Sequence, residues 1–157
     1  MAGFRRIGIF ATTTAIAISG AAHAELGGTS ESVNVDSARM GARLASTPMG
    51  KYTQHDMTRA NGGLVHELTN SEGQVFAVAW SGPGKPDLRV LLGRYFSALQ
   101  NPGGIGRTMH SLRRPVQVEQ PDLRIQAGGH MGWFHGVAYV PSLAPPGFSV
   151  NDLPREH

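Results

Sequence analysis

Residues 128–136, with the sequence GGHMGWFHG, contain the side chains best suited to bind or react with another molecule. His130 and His135 carry imidazoles, which transfer protons near neutral pH and are frequent metal ligands. Trp133 lies between them and offers a large flat ring of the kind enriched at binding hot spots. The stretch is also rich in glycine, so it predicts either a ligand site or a tight turn between two strands.

A β-hairpin over these residues would bring their side chains together. If Met131 and Gly132 form a two-residue loop, His130 opposes Trp133 across the hairpin. Because side chains alternate between the faces of a strand, one face is then apolar and the other is polar and aromatic. We predict that the second face binds a partner through Arg124, His130, Trp133, His135 and Tyr139.

The sequence does not complete a catalytic or metal-binding set on this face. Zinc sites usually have about three or four protein ligands, and no Asp or Glu lies between residues 123 and 151. The chain contains no cysteine and no G-x-S-x-G motif, which marks one class of nucleophilic serine. We therefore predict no catalytic residue and no cofactor, while metal binding by His130 and His135 stays open.

Two further histidines lie in predicted strands earlier in the chain. With residues 60–63 as a loop, His55 and His66 share a face with Met57 and Leu68. Histidines among core-facing apolar residues are more often hydrogen-bonded structural groups than ligands. We therefore predict no site at this pair.

The remaining periodicity predicts one α+β domain over residues 36–143. The apolar run at 74–82 is typical of a central strand, and five or six such segments indicate an antiparallel sheet. Apolar residues recur at helical spacing over 87–99, which predicts one main amphipathic helix packed on a face of the sheet. A short helix is expected over 37–44, and prolines indicate an irregular tail over 144–157.

Residues 1–24 have the pattern of a cleavable signal peptide. Arg5 and Arg6 precede an uncharged apolar run, which the small-x-small tripeptide AHA follows. The run is shorter than the roughly 20 residues that cross a bilayer, so we expect no stable membrane anchor. The mature protein should begin at Glu25 and be periplasmic or secreted, with residues 25–35 as a flexible lead-in.

The charge of the chain argues against nucleic acid as a partner. The net charge is +3 with histidines neutral, and removing Arg5 and Arg6 leaves +1. Proteins that bind nucleic acid usually present a strongly basic surface. We therefore expect no nucleic-acid partner.

Five motifs spread along the chain resemble those of one family. They are ELGG after the predicted cleavage site, VFAVAWSGP at 75–83, PDLRVLLGRYF at 86–96, GGHM at 128–131 and AYVPSLAP at 138–145. In combination they resemble an uncharacterised family of exported bacterial proteins, known as a domain of unknown function. The resemblance implies export and a single compact domain, and it implies no reaction or binding residues.

Two classes of function are consistent with these patterns. The first is an exported, non-catalytic protein of the cell envelope or secretome that acts by surface contact with an envelope protein or a glycan. The second is a histidine-dependent metal-handling protein or enzyme that uses His130 and His135. The missing triad and the incomplete metal ligand set favour the first class.

Overall fold

A computed structural model describes residues 25–100 and 115–153, and within these ranges seven strands form one sheet. The strands are β1 (Arg43–Pro48), β2 (Tyr52–Thr58), β3 (Leu64–Asn70), β4 (Val75–Gly82), β5 (Val116–Gln120), β6 (Leu123–His130) and β7 (Trp133–Tyr139). Their order across the sheet is β1-β2-β3-β4-β7-β6-β5, with every neighbouring pair antiparallel. The predicted α+β class with an antiparallel sheet is confirmed, whereas the predicted count of five or six strands is wrong.

In the described part of the chain, three short α-helices pack on one side of the sheet, which we call the helix face. They are α1 (Ser30–Arg39), α2 (Leu88–Leu92) and α3 (Phe96–Gln100). Leu91, Leu92 and Leu99 bury their side chains in the main core, together with apolar residues of the sheet. Within the described residues, no helix has the length and hydropathy that a bilayer-spanning segment needs.

The helix predicted over 87–99 is interrupted in its middle. Its start is as predicted, because Asp87 accepts hydrogen bonds from the backbone N–H groups of the first turn of α2. Gly93 then adopts a φ of 47°, a conformation that side chains rarely allow, and ends this helix. A single 3₁₀ turn at Gly93–Tyr95 leads into α3. The expected single helix is therefore two short helices.

The first described segment is folded, although residues 25–35 were expected to form a flexible lead-in. Helix α1 begins at Ser30, and Leu26 is fully buried, with its N–H donating to the Leu91 carbonyl at 3.0 Å. The helix expected over 37–44 therefore starts earlier and ends at Arg39. Strand β1 follows this helix, and the sequence did not predict it. Most residues of β1 are exposed, so its sequence lacks the alternation of apolar and polar residues that marks a strand.

The opposite side of the sheet, the tail face, is covered in part by residues 144–153. The Phe148 ring packs edge-on against Phe76, with 4.9 Å between ring centroids. Leu153 is buried in the same apolar cluster. As far as Leu153, this segment contains no strand, and it packs against the domain.

The register between β2 and β3 differs from the prediction by one residue. Arg59 donates a backbone hydrogen bond to Gly63 at 2.8 Å, which leaves a three-residue loop in which Gly62 has a φ of 83°. A shift of one residue turns a whole strand over. His55 consequently lies on the helix face and His66 on the tail face, so the prediction that the two share a face is wrong.

Candidate functional site

The hairpin formed by β6 and β7 has the predicted register. His130 pairs with Trp133 and Gly128 pairs with His135, around a loop of Met131 and Gly132. Alternation along the strands places the predicted binding residues together on the tail face: Arg124, His130, Trp133, His135 and Tyr139. Trp133 is half-buried, while His130 and His135 are exposed.

Two of these predicted residues, Trp133 and His135, line a cleft of about 500 Å³ on the tail face. Ser81 lies directly across from His135 on β4 and lines the same cleft. Gln126 adds an amide, and the C-terminal segment contributes Leu153 to an apolar wall. The cleft therefore combines the indole ring of Trp133 with hydroxyl, amide and imidazole groups.

The other predicted residues lie at the margins of this cleft. Arg124 and Tyr139 line a separate cavity of about 140 Å³. His130 is exposed at the end of the hairpin, with its Nδ1 atom 3.3 Å from the Met131 carbonyl oxygen. The five predicted residues share a face, but only part of the set contributes to the larger cleft.

His66, which was predicted to be a structural group among core-facing residues, also lines the cleft. Its Nδ1 atom lies 2.5 Å from Oδ1 of Asp56, which also accepts a hydrogen bond from the Gln54 amide at 2.8 Å. The His66 side chain is 8% exposed, and its Nε2 atom is buried without a hydrogen-bond partner among the described residues. An unpaired buried nitrogen is unusual in a folded protein and calls for a functional explanation.

The position of Gly62 is the sequence signal from which the location of His66 on the tail face could have been predicted. A three-residue hairpin loop typically ends in a glycine of left-handed conformation, and Gly62 supplies it. The adjacent Gly63 makes a four-residue loop equally compatible with the sequence. The choice between the two loops decides which face of the sheet His66 joins.

Glycines allow two large rings to cross the hairpin strands, as the spacing of residues 128–136 suggests. A Cβ atom on Gly128 would lie 3.1 Å from Nε2 of His135, whose ring therefore lies across this glycine. A Cβ atom on Gly136 would clash with the Trp80 ring, which is buried on the helix face. Both glycines thus shape the walls around the cleft.

Within the described ranges, no group of three or more His, Cys, Asp or Glu side chains is arranged to hold a metal ion. His130 and His135 occupy diagonal positions on the hairpin, where side chains are separated by about 7–8 Å at their bases. The pair can contact one ligand from two sides. The described residues offer it no third donor of these types.

A second unusual group of polar side chains lies on the helix face of the sheet. Asp36 of α1 and Glu67 of β3 are fully buried, and neither carboxyl has a hydrogen-bond partner among the described residues. Burial raises the pKa of Asp36 to about 7, against the lowering effect of Arg39. Burial and the charge of Asp36 raise the pKa of Glu67 to about 8. Both acids therefore favour their protonated, uncharged forms.

His55, across from Glu67 on β2, is a structural group, as predicted. Its Nδ1 atom lies 2.8 Å from the Ser46 hydroxyl, and its Nε2 atom lies 3.0 Å from the Thr69 hydroxyl. Burial lowers its pKa, so the ring favours its neutral form. Both ring nitrogens of His55 are paired, in contrast to those of His66.

The family described as "Protein of unknown function (DUF2844)" matches residues 22–153, and the chain belongs to this family. No curated protein and no solved structure matches the chain. The resemblance of the sequence to a family of unknown function is thereby confirmed.

Proposed function

We propose that this member of the family is an exported, non-catalytic binding protein, periplasmic or secreted, that holds a glycan of the cell envelope in the cleft beside Trp133. The cleft itself is the observation that supports this function. Its volume of about 500 Å³ falls in the range of roughly 300–1,000 Å³ that is typical of ligand pockets. A concave site of this size suits a sugar chain better than the flat surface of a protein partner.

The composition of the cleft also fits a carbohydrate. Trp133 provides a flat apolar ring on which the C–H face of a sugar can pack. Ser81, Gln126 and His135 provide hydrogen-bonding groups around it, matching the many hydroxyls of a sugar. The adaptable polar groups orient the ligand, while the half-buried indole supplies most of the binding energy.

Export is supported by the sequence pattern of residues 1–24, which lie outside the described residues. If the chain is cleaved before Glu25, the mature protein should be folded almost from its first residue. The buried Leu26 and helix α1, which follow the predicted cleavage position closely, are consistent with this. A protein exported without a membrane anchor would meet envelope glycans directly.

The alternative function is metal handling by His130 and His135. Their common face supports it, because two imidazoles on one face can share a metal ion. Purified protein that contains zinc or copper, and loses it when both histidines are replaced, would favour this alternative. Without such a metal, the glycan proposal accounts better for Trp133.

The test uses mature protein purified after export and a panel of soluble oligosaccharides, including short N-acetylglucosamine and glucose oligomers. Binding is measured by calorimetry and by the change in tryptophan fluorescence. Trp133→Ala should abolish binding and leave the cooperative unfolding transition in place. The matched control is Met131→Ala, since Met131 is 98% exposed at the hairpin loop.

Three outcomes would contradict the proposal. The first is that no oligosaccharide of the panel binds the wild-type protein, and the second is that Trp133→Ala binds as tightly as wild type. Capture of an envelope protein that depends on Trp133, without any sugar binding, would identify a protein partner and reject the glycan.

A further inference from the structure

We infer that Nε2 of His66 is the hydrogen-bond acceptor that recognises one hydroxyl group of the ligand, an inference that rests on the proposed function of the cleft. His66 lines the cleft, and Nε2 has no partner among the described residues. A sugar hydroxyl is a donor that can satisfy this nitrogen. The hydroxyl would complete a chain that runs from Asp56 through the imidazole to the ligand.

Asp56 determines which ring nitrogen of His66 carries the proton. Its carboxylate only accepts hydrogen bonds, and Oδ1 lies 2.5 Å from Nδ1, so Nδ1–H donates to it. A neutral imidazole has one N–H, and Nε2 is therefore left as the acceptor. Asp56 acts on the ligand through His66 and is a positioning residue.

The surroundings of His66 make this acceptor selective. Its side chain is 8% exposed, so little water is available to replace a missing partner. A ligand without a donor at this point leaves the buried nitrogen unpaired, which is costlier than losing an exposed hydrogen bond. His66 thus discriminates between otherwise similar sugars that differ in one hydroxyl.

Access to Nε2 requires a wall of the cleft to move, because this atom is buried. Val150 and Leu153 of the C-terminal segment line the cleft together with His66. The turn at Val150–Asp152 is a single 3₁₀ turn outside the sheet, so its displacement breaks no strand pairing. Leu153→Ala shortens a side chain of this wall, so diethyl pyrocarbonate should acylate His66 faster in this variant than in wild type. Peptide mass spectrometry measures the rate.

The first test concerns the proton on His66. Nitrogen-15 NMR of the mature wild-type protein should show a protonated Nδ1 and an unprotonated Nε2. In Asp56→Asn, the amide can donate to Nδ1, so the proton should move to Nε2. A protonated Nε2 in the neutral wild-type ring would overturn the inference.

The second test measures binding of the oligosaccharide from the panel that the wild type binds most tightly. His66→Phe, which removes the acceptor and keeps a flat ring, should weaken it by about ten- to a hundredfold, because the ligand hydroxyl is then buried without a partner. One monodeoxy analogue of that sugar should lose a similar factor with wild type and no further affinity with His66→Phe. Glu72→Gln, on an exposed turn, is the control and should bind as wild type.

The outcomes separate this inference from the function on which it rests. Unchanged affinity of His66→Phe, or equal binding of every monodeoxy analogue, would reject the role of His66 and leave the cleft as a glycan site. No binding by the wild-type protein would reject the glycan function and this inference with it.

Discussion

Replacing Glu67 with glutamine should stabilise the protein at alkaline pH and leave its stability in acid nearly unchanged. Burial, with the negative charge of Asp36, raises the pKa of Glu67 from its ordinary value of 4.5 to about 8. As the pH rises, the unfolded chain releases this proton first, so folding becomes less favourable between these two values. Glutamine has nearly the same shape and remains neutral throughout, which removes this loss.

The expected magnitude is large for a single isosteric change. One pKa unit corresponds to about 1.4 kcal/mol, so a rise from 4.5 to about 8 destabilises the fold by about 5 kcal/mol above the higher value. Domains are stable by only about 5–15 kcal/mol in total. The free energy of unfolding of Glu67→Gln should therefore exceed that of wild type by on the order of 5 kcal/mol above pH 8. Below pH 4.5, the ordinary pKa of a glutamate, the two proteins should be almost equally stable. Relaxation that admits water to a charged Glu67 would reduce this gain.

The assay is urea unfolding of wild type and Glu67→Gln at several pH values across this range. Comparing the two proteins cancels the contribution of His55, whose pKa burial lowers in both. Asp36 has a raised pKa as well, so some pH dependence should persist in the variant. Glu72→Gln on an exposed turn controls for loss of one negative charge. A variant less stable than wild type in alkali would show that Glu67 is charged and paired in the folded protein, which would refute the reasoning.

Two further predictions concern the core and the export signal. Leu92→Ala should destabilise the protein by about 2–5 kcal/mol in denaturant unfolding, because Leu92 of α2 is fully buried in the main core. A loss below about half a kcal/mol would mean that this side chain contributes little to the core. Exported protein should begin at Glu25 by mass spectrometry and remain soluble without detergent. An intact N-terminus retained in the membrane fraction would contradict that expectation.

The β6–β7 hairpin could be predicted in detail because two independent signals agree on one register. Alternation of apolar residues assigns each side chain to a face, and the loop of Met131 and Gly132 fixes which residues oppose each other. The resulting pairs include His130 with Trp133, as expected. Local pattern and turn chemistry are both contained within this short stretch, so no distant part of the chain was needed.

Helix α1 and strand β1 could not be predicted in the same way. The helix buries Ser32 and Asp36, so the residues on its inward face do not form an apolar stripe in the sequence. Strand β1 is an edge strand that is largely exposed, and it therefore lacks the alternation that marks a half-buried strand. Both elements are set by contacts with the rest of the sheet, which single-segment periodicity does not contain.

The cleft shows how one local choice controls a site built from distant segments. Trp133 and His135 come from one hairpin, and their proximity follows from its register alone. Ser81 joins them because β4 pairs with β7, an arrangement that no local pattern specifies. His66 joins them because the loop before β3 has three residues and ends at Gly62; a loop longer by one residue would turn His66 toward the helices. The polar groups of the cleft therefore depend on strand pairing across the sheet and on the conformation of a single glycine.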